Sequence, residues 1–235
     1  MAGNDANTLL LLHMDGADAS TTFTDSSASA RTITRVGNAQ IDTAQSKFGG
    51  ASGLFDGTGD YLTVPDSADW AFGSGNFTID FWIRVAASTN AARIAGHQTT
   101  DSNTGWRMGA RTDNGNWYFD LYSGGSLIVN VTTASPLSAN TWTHMAFVKN
   151  GTDYRFYKDG TSVGSSTDAN VVGDYTGTFR IGSDIDAAAF LNGWLDEFRI
   201  SNIARWTTTF TPPTEAYSAA IAIPVLTRQY RERWS

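Results

Sequence analysis

Residues 141–164 read TWTHMAFVKNGTDYRFYKDGTSVG, and this stretch decides the fold class. Residues 141–149 are rich in β-branched and aromatic side chains, which favour a strand. Asn150-Gly151 and Asp159-Gly160 are tight-turn signals, because Gly adopts positive φ without a Cβ clash. We therefore expect three consecutive antiparallel strands joined by short turns, in a protein that is antiparallel β throughout.

The rest of the chain continues the pattern of short strands. Residues 76–85 alternate apolar and polar side chains, which predicts one face on a core and the other in water. Residues 191–200 give the last strong strand, in which Asp196 shares a predicted face with Phe198 and Ile200. No helical period extends over ten residues, so the sequence predicts an all-β sandwich or barrel.

Composition excludes several classes of function. The formal net charge of −7 argues against nucleic acid as the main partner, because phosphate binding needs a positive field. The absence of cysteine excludes disulfides, thiol catalysis and cysteine-ligated zinc. The apolar run at residues 9–12 is too short for a membrane helix, and no basic region precedes it. We expect no membrane partner and no signal peptide, and therefore synthesis in a cytoplasm.

Several phrases, taken in order, resemble the laminin-G/concanavalin A-like lectin–glucanase superfamily in its pentraxin-related branch. They are GASGLFDG at 50–57, GDYLTVP at 59–65, FTIDFWI at 77–83, TWTHMA at 141–146, YKDG at 157–160 and GWLDEFRI at 193–200. The resemblance implies a two-sheet antiparallel jelly-roll sandwich over residues 1–211, with a core at about 8–206. Pro212-Pro213 marks the start of a C-terminal tail, residues 212–235.

A narrower resemblance concerns location. LLLHMDGAD at 10–18 and TFTDSS at 22–27 are similar to stand-alone versions in bacteriophage and environmental sequences. Those proteins are usually virion or tail components that face the host. This resemblance implies a capsid or tail protein on the surface of a phage-like virion.

The superfamily contains glucanases, whose catalytic glutamates lie in a Glu-x-Asp-x-(x)-Glu phrase. Glu197, Glu215 and Glu232 are the only glutamates of this chain, and none lies in such a phrase. We therefore expect no enzyme, and glycoside hydrolysis is a distant third hypothesis.

The resemblance also implies one structural calcium ion that joins the first strand, a glycine carbonyl and the last strand. Asp15, the carbonyl of Gly50 and Asp196 occupy those positions. Independently, a carboxylate on the apolar face predicted for Asp196 must be hydrogen-bonded or metal-bound. The alternative is that Asp196 only accepts backbone N–H groups and Asp15 only opens a loop.

Two further sets of residues are candidates for binding. Sugar sites combine aromatic rings with polar side chains, and the matching residues near loops are Trp106, Trp117, Tyr122, Asp101 and Asn103. The alternative for the two tryptophans is an ordinary place in a sheet. The tail residues Arg228, Tyr230, Arg231 and Trp234 suit docking to virion proteins or to a second copy. The alternative for the tail is a C-terminal strand followed by a disordered end.

Together these features favour a non-catalytic surface-recognition module that binds a glycan or host-surface polysaccharide. The alternative is a purely structural capsid-decoration or tail protein with no ligand site.

Overall fold

The computed structural model of the protein contains two stacked antiparallel sheets. It describes residues 2–87, 92–99, 103–111, 114–186 and 189–219. A single 3-10 turn, Ala68–Trp70, interrupts the strands. In chain order the strands are β1 (Ala2–Asn4), β2 (Thr8–Leu12), β3 (Thr34–Val36), β4 (Gln40–Asp42), β5 (Ser52–Asp56), β6 (Tyr61–Val64), β7 (Phe77–Val85), β8 (Ala92–Gln98), β9 (Gly105–Ala110), β10 (Trp117–Ser123), β11 (Ser126–Thr132), β12 (Thr143–Asn150), β13 (Asp153–Lys158), β14 (Thr161–Thr167), β15 (Phe179–Ile181), β16 (Asn192–Ser201) and β17 (Ser218–Ala219).

The strand order within each sheet is that of a jelly-roll sandwich. A seven-stranded sheet runs β11-β10-β9-β8-β15-β6-β3, and an eight-stranded sheet runs β14-β13-β12-β7-β16-β5-β4 with β2 also paired to β16. β1 and β17 form a separate parallel ribbon. The predicted all-β, two-sheet antiparallel fold is confirmed. Within the described ranges, no helix is long and apolar enough to cross a membrane.

The meander at residues 141–164 folds as the sequence predicts. β12 pairs with β13, and β13 with β14. Asp159 and Gly160 both have positive φ, 47° and 77°, as a type I′ turn requires. A side chain on Gly160 would collide with the carbonyl oxygen of Phe210. Gly160 therefore sets the turn and also admits the chain segment that packs over it.

The core between the sheets is aromatic and includes both tryptophans proposed as ligand residues. Trp106 and Trp117 are 0% and 1% exposed. Ring centroids are 5.6 Å apart for Trp106 and Phe119, and 5.9 Å apart for Trp117 and Phe81. Assigning these two tryptophans to a sugar site was wrong. Strand alternation turns them inward, where no ligand on the surface reaches their rings.

The outer face of the eight-stranded sheet is covered rather than wet. Thr78, Asp80 and Trp82, expected in water, are all buried. Residues 203–217, the covering segment, pack Trp206 and Phe210 onto this face, and these two rings stack with centroids 4.1 Å apart. The predicted alternation in residues 76–85 is therefore confirmed. The expectation that its polar side faces water was wrong.

Residues 212–219, the described part of the predicted tail, also lie against the sandwich. Tyr217 is buried, and β17 pairs with β1.

Candidate functional site

The outer face of the seven-stranded sheet, called the open face below, carries a row of polar side chains that is interrupted only at Gly96. Cross-strand neighbours place Arg180, Gly96, Arg107, Asp120 and Asn130 in register on β15, β8, β9, β10 and β11. Neighbouring strands lie about 4.8 Å apart, so the row extends roughly 19 Å across the strands. That length suits a short oligosaccharide lying across the sheet.

Strand alternation explains why these side chains share one face. In β9 and β10 the inward positions carry core residues, and the positions between them carry polar ones. The inward residues are Trp106, Met108, Trp117, Phe119 and Leu121. The outward residues include Arg107, Tyr118, Asp120 and Tyr122.

Arginine side chains lie over the two tyrosine rings of the open face. The guanidinium carbons of Arg93 and Arg111 are 5.2 and 4.8 Å from the ring centroid of Tyr118. Arg107 lies 4.8 Å from the ring centroid of Tyr122, and its Nη2 donates to the Tyr122 hydroxyl at 2.9 Å. Burial beneath the arginines raises the pKa of Tyr118 to about 12, so this phenol stays neutral and keeps its proton.

Two carboxylates complete the open face. Asp120 accepts a hydrogen bond from Asn130 Nδ2 at 2.5 Å, and Asp184 accepts one from Arg93 Nε at 2.6 Å. Asp120, Asp184 and Tyr118 are themselves buried, so they hold the other side chains of the face in place. The accessible groups are the exposed amide of Asn130, the half-buried ring of Tyr122 and the half-buried guanidinium groups. Such mixed groups fix the orientation of a polyhydroxylated ligand.

Of the sequence-predicted ligand residues, the structure places Tyr122 on the open face. Asn103 is exposed, and its carbonyl accepts from Gly125 N at 2.8 Å, which holds the β8–β9 loop against the β10–β11 turn. Asp101 lies outside the described residues. Sequence reasoning missed Arg93, Arg107, Arg111, Tyr118, Asp120, Asn130 and Arg180. Polar residues alternate with the core positions around Trp106 and Trp117 in the sequence. This pattern could have identified four of the missed residues.

The predicted metal ligands lie at the eight-stranded sheet, where β16 contains a bulge. Glu197 has φ 51°, and the pairing register of β16 with β7 shifts between Asp196 and Arg199. The extra residue reverses the alternation. Asp196 therefore lies opposite Trp82 on the outer side, and the expectation that it shares a face with Phe198 and Ile200 was wrong.

Asp196 is nevertheless fully buried, under the loop at residues 47–50. Its Oδ2 accepts from the backbone N–H groups of Lys47 and Phe48 at 2.7 and 3.0 Å, whereas its Oδ1 has no hydrogen-bond partner. Burial, with the nearby charges of Glu197 and Asp15, raises the pKa of Asp196 to about 7. Oδ2 of Asp196 is therefore satisfied by backbone N–H groups, as the hydrogen-bonding alternative predicts. Oδ1 is not satisfied.

Asp15 reaches the same loop from the end of β2. A side chain on Gly49, which has φ 62°, would collide with the Asp15 carboxylate. Burial raises the pKa of Asp15, and the neighbouring charge of Glu197 adds to this effect. The structure therefore brings Asp15, the loop that includes Gly50, and Asp196 together. Asp15 is exposed, so solvent ions have access to the cluster.

The chemistry of this cluster suits a hard cation. Its donors are carboxylate and carbonyl oxygens, the ligands that Ca²⁺ prefers. Among the described residues no group of three or more His, Asp or Glu side chains is placed to hold a metal, so backbone carbonyls would have to complete the shell. Glu197 is engaged elsewhere: its Oε1 lies 2.7 Å from His13 Nδ1, and its Oε2 accepts from Tyr217 N at 2.9 Å.

The predicted partner-binding residues Arg228, Tyr230, Arg231 and Trp234 lie outside the described residues. A cavity of about 360 Å³ is enclosed between the covering segment and the eight-stranded sheet, beside Arg199, Trp206 and Tyr217.

These features define a jelly-roll sandwich with one covered sheet and one open polar sheet. The chain belongs to the concanavalin A-like lectin/glucanases superfamily, because residues 56–208 match its laminin G-type (Laminin_G_3) family model. A comparison with curated proteins finds no match.

Solved structures share this fold at low identity. Domain 4 of AbnA, a GH43 extracellular arabinanase from Geobacillus stearothermophilus in complex with arabinotriose, is 19% identical with a TM-score of 0.65, over 84% of this chain and 93% of that one. The binding domain of Paraclostridial Mosquitocidal Protein 1 is 19% identical with a TM-score of 0.65, over 84% and 49%. The binding domain of Botulinum Neurotoxin DC in complex with SialylT is 16% identical with a TM-score of 0.60, over 84% and 48%. The alignments thus span about half the length of these two toxin domains.

Proposed function

We propose that the protein is a non-catalytic glycan-binding module whose ligand lies across the open face. The observation that carries this proposal is the polar row from Arg180 to Asn130, on the one sheet whose outer face is not covered by the covering segment. The ligand would run across the strands, along the row.

The chemistry of the open face supports a sugar ligand. Pyranose and furanose rings present an apolar face of C–H groups and a rim of hydroxyls. Tyr122 offers a ring, half-buried at the edge of the row, and Arg107 and Asn130 offer polar groups for hydroxyls. Each of these three residues comes from a strand, so the scaffold holds the site in place before ligand binds.

The solved relatives add support at the level of the scaffold. The structure of the arabinanase domain is a complex with arabinotriose, and the other two structures are binding domains. Sugar binding on the same fold makes a glycan the first ligand class to test. Because the sequence identities are below 20%, the ligand of a relative is not assigned to this chain.

Catalysis has little support in the geometry. Glycoside hydrolysis needs a carboxylic acid and a second carboxylate on the two sides of the scissile bond. On the open face Asp184 is engaged by Arg93, and Asp120 is hydrogen-bonded to Asn130. Glu197 lies at the other sheet, bonded to His13. Measurement of reducing-sugar release from any polysaccharide that binds would detect hydrolysis and contradict this part of the proposal.

A glycan array with the purified chain tests the binding function. We expect binding that weakens when Tyr122 is replaced by Ala and persists when Trp194, a half-buried aromatic on the eight-stranded sheet, is replaced by Ala. If no polysaccharide binds, while the protein is incorporated stoichiometrically into particles, the structural alternative is correct.

The setting of the module is a separate proposal. The phage-like resemblance of residues 10–18 and 22–27 supports display on a virion, through contacts with virion proteins or with a second copy. Mass spectrometry of purified particles and immunogold labelling of their surface would test it. A protein found only in the soluble lysate, absent from particles, would refute it.

We also propose that Asp15, Asp196 and the carbonyl of Gly50 bind one structural Ca²⁺. The support is the unpartnered Oδ1 of Asp196 beside a second carboxylate. Calcium would hold the β2 end against the bulge of β16, which raises the melting temperature. Calorimetry measures the melting temperature in Ca²⁺ and in chelator. Equal melting temperatures under the two conditions would refute the site.

A further inference from the structure

The open face has an excess of positive charge in an acidic protein. Among the described residues of this face, arginines outnumber aspartates by one, whereas the whole chain carries a net charge of −7. The charged side chains of this face are Arg93, Arg107, Arg111, Arg180, Asp120, Asp184 and Asp186.

Two of the arginines are occupied by short internal hydrogen bonds. Arg93 Nε donates to Asp184 Oδ2 at 2.6 Å, and Arg93 also donates to the Tyr118 hydroxyl. Arg180 Nη1 donates to the carbonyl of Asp184 at 2.9 Å. These contacts are within the range of charge-assisted hydrogen bonds, so both guanidinium groups serve the fold.

Arg107 and Arg111 are placed differently. Each has a guanidinium nitrogen 3.9 Å from an oxygen of Asp120, beyond hydrogen-bond range. Arg107 Nη2 donates to the Tyr122 hydroxyl at 2.9 Å, its buried Nε has no hydrogen-bond partner, and its Nη1 is 3.6 Å from Asp186 and 3.9 Å from Asp184. Arg107 and Arg111 therefore lie near carboxylates of the open face without a hydrogen bond to any of them.

We propose that the open face selects a sugar that carries a carboxylate, of the uronate or sialate class, and that Arg107 and Arg111 bind that carboxylate. This inference rests on the proposed function and specifies its ligand. One ligand carboxylate would balance the excess of one arginine over the aspartates among the described residues of the open face. The planar fork of Arg matches a planar carboxylate better than it matches a hydroxyl. Tyr122 lies next to Arg107 and offers its ring to the attached sugar.

The test uses the full chain and polymers that differ only in the carboxylate. Alginate, polygalacturonate, hyaluronate and polysialic acid are each immobilised beside their own carboxyl-reduced, neutral forms, with dextran sulfate and dextran as a further pair. Variants Arg111→Gln and Arg107→Gln are compared with Arg155→Gln. Arg155 pairs with Asp153 on β13 of the eight-stranded sheet, so this control removes the same charge from another surface.

We expect at least one carboxylated polymer to bind, and reduction of its carboxyl groups to weaken binding ~10- to 100-fold, the range for losing hydrogen bonds to a charged group. Arg111→Gln should cause a similar loss with an unchanged melting temperature, and Arg155→Gln should cause none.

Four results would overturn the inference: binding to neutral polymers alone, equal binding to dextran sulfate, equal loss with Arg155→Gln, or acidic binding that neither open-face variant weakens. In all four the proposed glycan-binding function survives. If no polymer of either kind binds, the proposed function itself fails.

Discussion

Arg199 on β16 and Asp80 on β7 form a two-pronged ion pair whose side chains are 2% and 0% exposed. Arg199 Nε and Nη2 donate to the two oxygens of Asp80 at 3.0 and 3.2 Å. The Tyr217 hydroxyl also donates to Asp80, and the guanidinium carbon of Arg199 lies 3.6 Å from the Tyr217 ring centroid. The pair therefore anchors the covering segment, which covers the outer face of the eight-stranded sheet and not the open face.

Replacing Asp80 by Asn should destabilise the protein by about 3–5 kcal/mol, because it leaves the buried charge of Arg199 without its partner. Burial on its own would raise the pKa of Asp80, but Arg199 and His144 outweigh it and lower the pKa, so Asp80 is ionised in the folded state. Urea unfolding measures the change.

Asp153→Asn is the matched control for Asp80, since Asp153 pairs with Arg155 at 2.8 Å on the surface, and its loss should cost about 0–1 kcal/mol. Equal free energies of unfolding for the two variants would show that the buried pair does not anchor the covering segment.

Replacing Gly49 by Ala should remove the proposed calcium effect. Gly49 has φ 62° and a side chain there would displace the Asp15 carboxylate, whereas Gly151 has φ 60° and open space around it. Both substitutions should cost about 1–2 kcal/mol from backbone strain. Only Gly49→Ala should also abolish the rise in melting temperature with Ca²⁺, as followed by calorimetry. If both variants keep the same response to calcium, Asp15 is not a ligand.

His97 should make the protein less stable as the pH falls below about 6.5, the ordinary pKa of histidine. His97 is buried, its Nε2 lies 3.0 Å from the carbonyl oxygen of Gly177, and its Nδ1 has no partner. Burial lowers its pKa, and this outweighs the opposing effect of Asp66 and Asp174. The unfolded chain therefore binds a proton first, and stability is lost from the unfolded pKa downwards until the lowered folded pKa is reached.

The variant His97→Gln isolates this effect, because other groups titrate in the same range. The pKa of His13 is raised by its bond to Glu197, which gives a pH dependence of opposite sign. The difference in unfolding free energy between the wild type and His97→Gln should therefore shrink as the pH falls from 7.5 to 5.5. A difference that stays constant over this range would show that His97 does not titrate between the two states.

The strand pattern was predictable because it depends on local signals. The Asn150-Gly151 and Asp159-Gly160 turns and the alternation in residues 76–85 are set by neighbours in sequence, and the structure shows all three. Which side of a strand meets water was not predictable in the same way. It depends on the covering segment, which lies far from β7 in the chain. Trp206 and Phe210 of this segment pack on β12 and β13, and Thr78 on β7 donates to the carbonyl of Ile203.

The site was less predictable, because it is assembled across strands. Arg107, Asp120 and Asn130 are neighbours only through pairing register, which the sequence does not give. The bulge at Glu197 had a similar effect: one extra residue moved Asp196 to the opposite face from the one that simple alternation predicts. The resemblance located Asp15 and Asp196 correctly as neighbours, since it carried information about the fold that alternation lacks.

Trp117 and Tyr122, both on β10, should show opposite effects when changed. Trp117 is 1% exposed within the core, so Trp117→Phe should cost about 1–3 kcal/mol of stability and leave glycan affinity unchanged below the melting transition. Tyr122→Ala removes a half-buried ring from the open face, so it should change stability by less than about 1 kcal/mol and weaken binding at least about tenfold. Urea unfolding and biolayer interferometry on the two variants give both quantities. Loss of affinity in Trp117→Phe, with Tyr122→Ala binding normally, would place the ligand away from the open face.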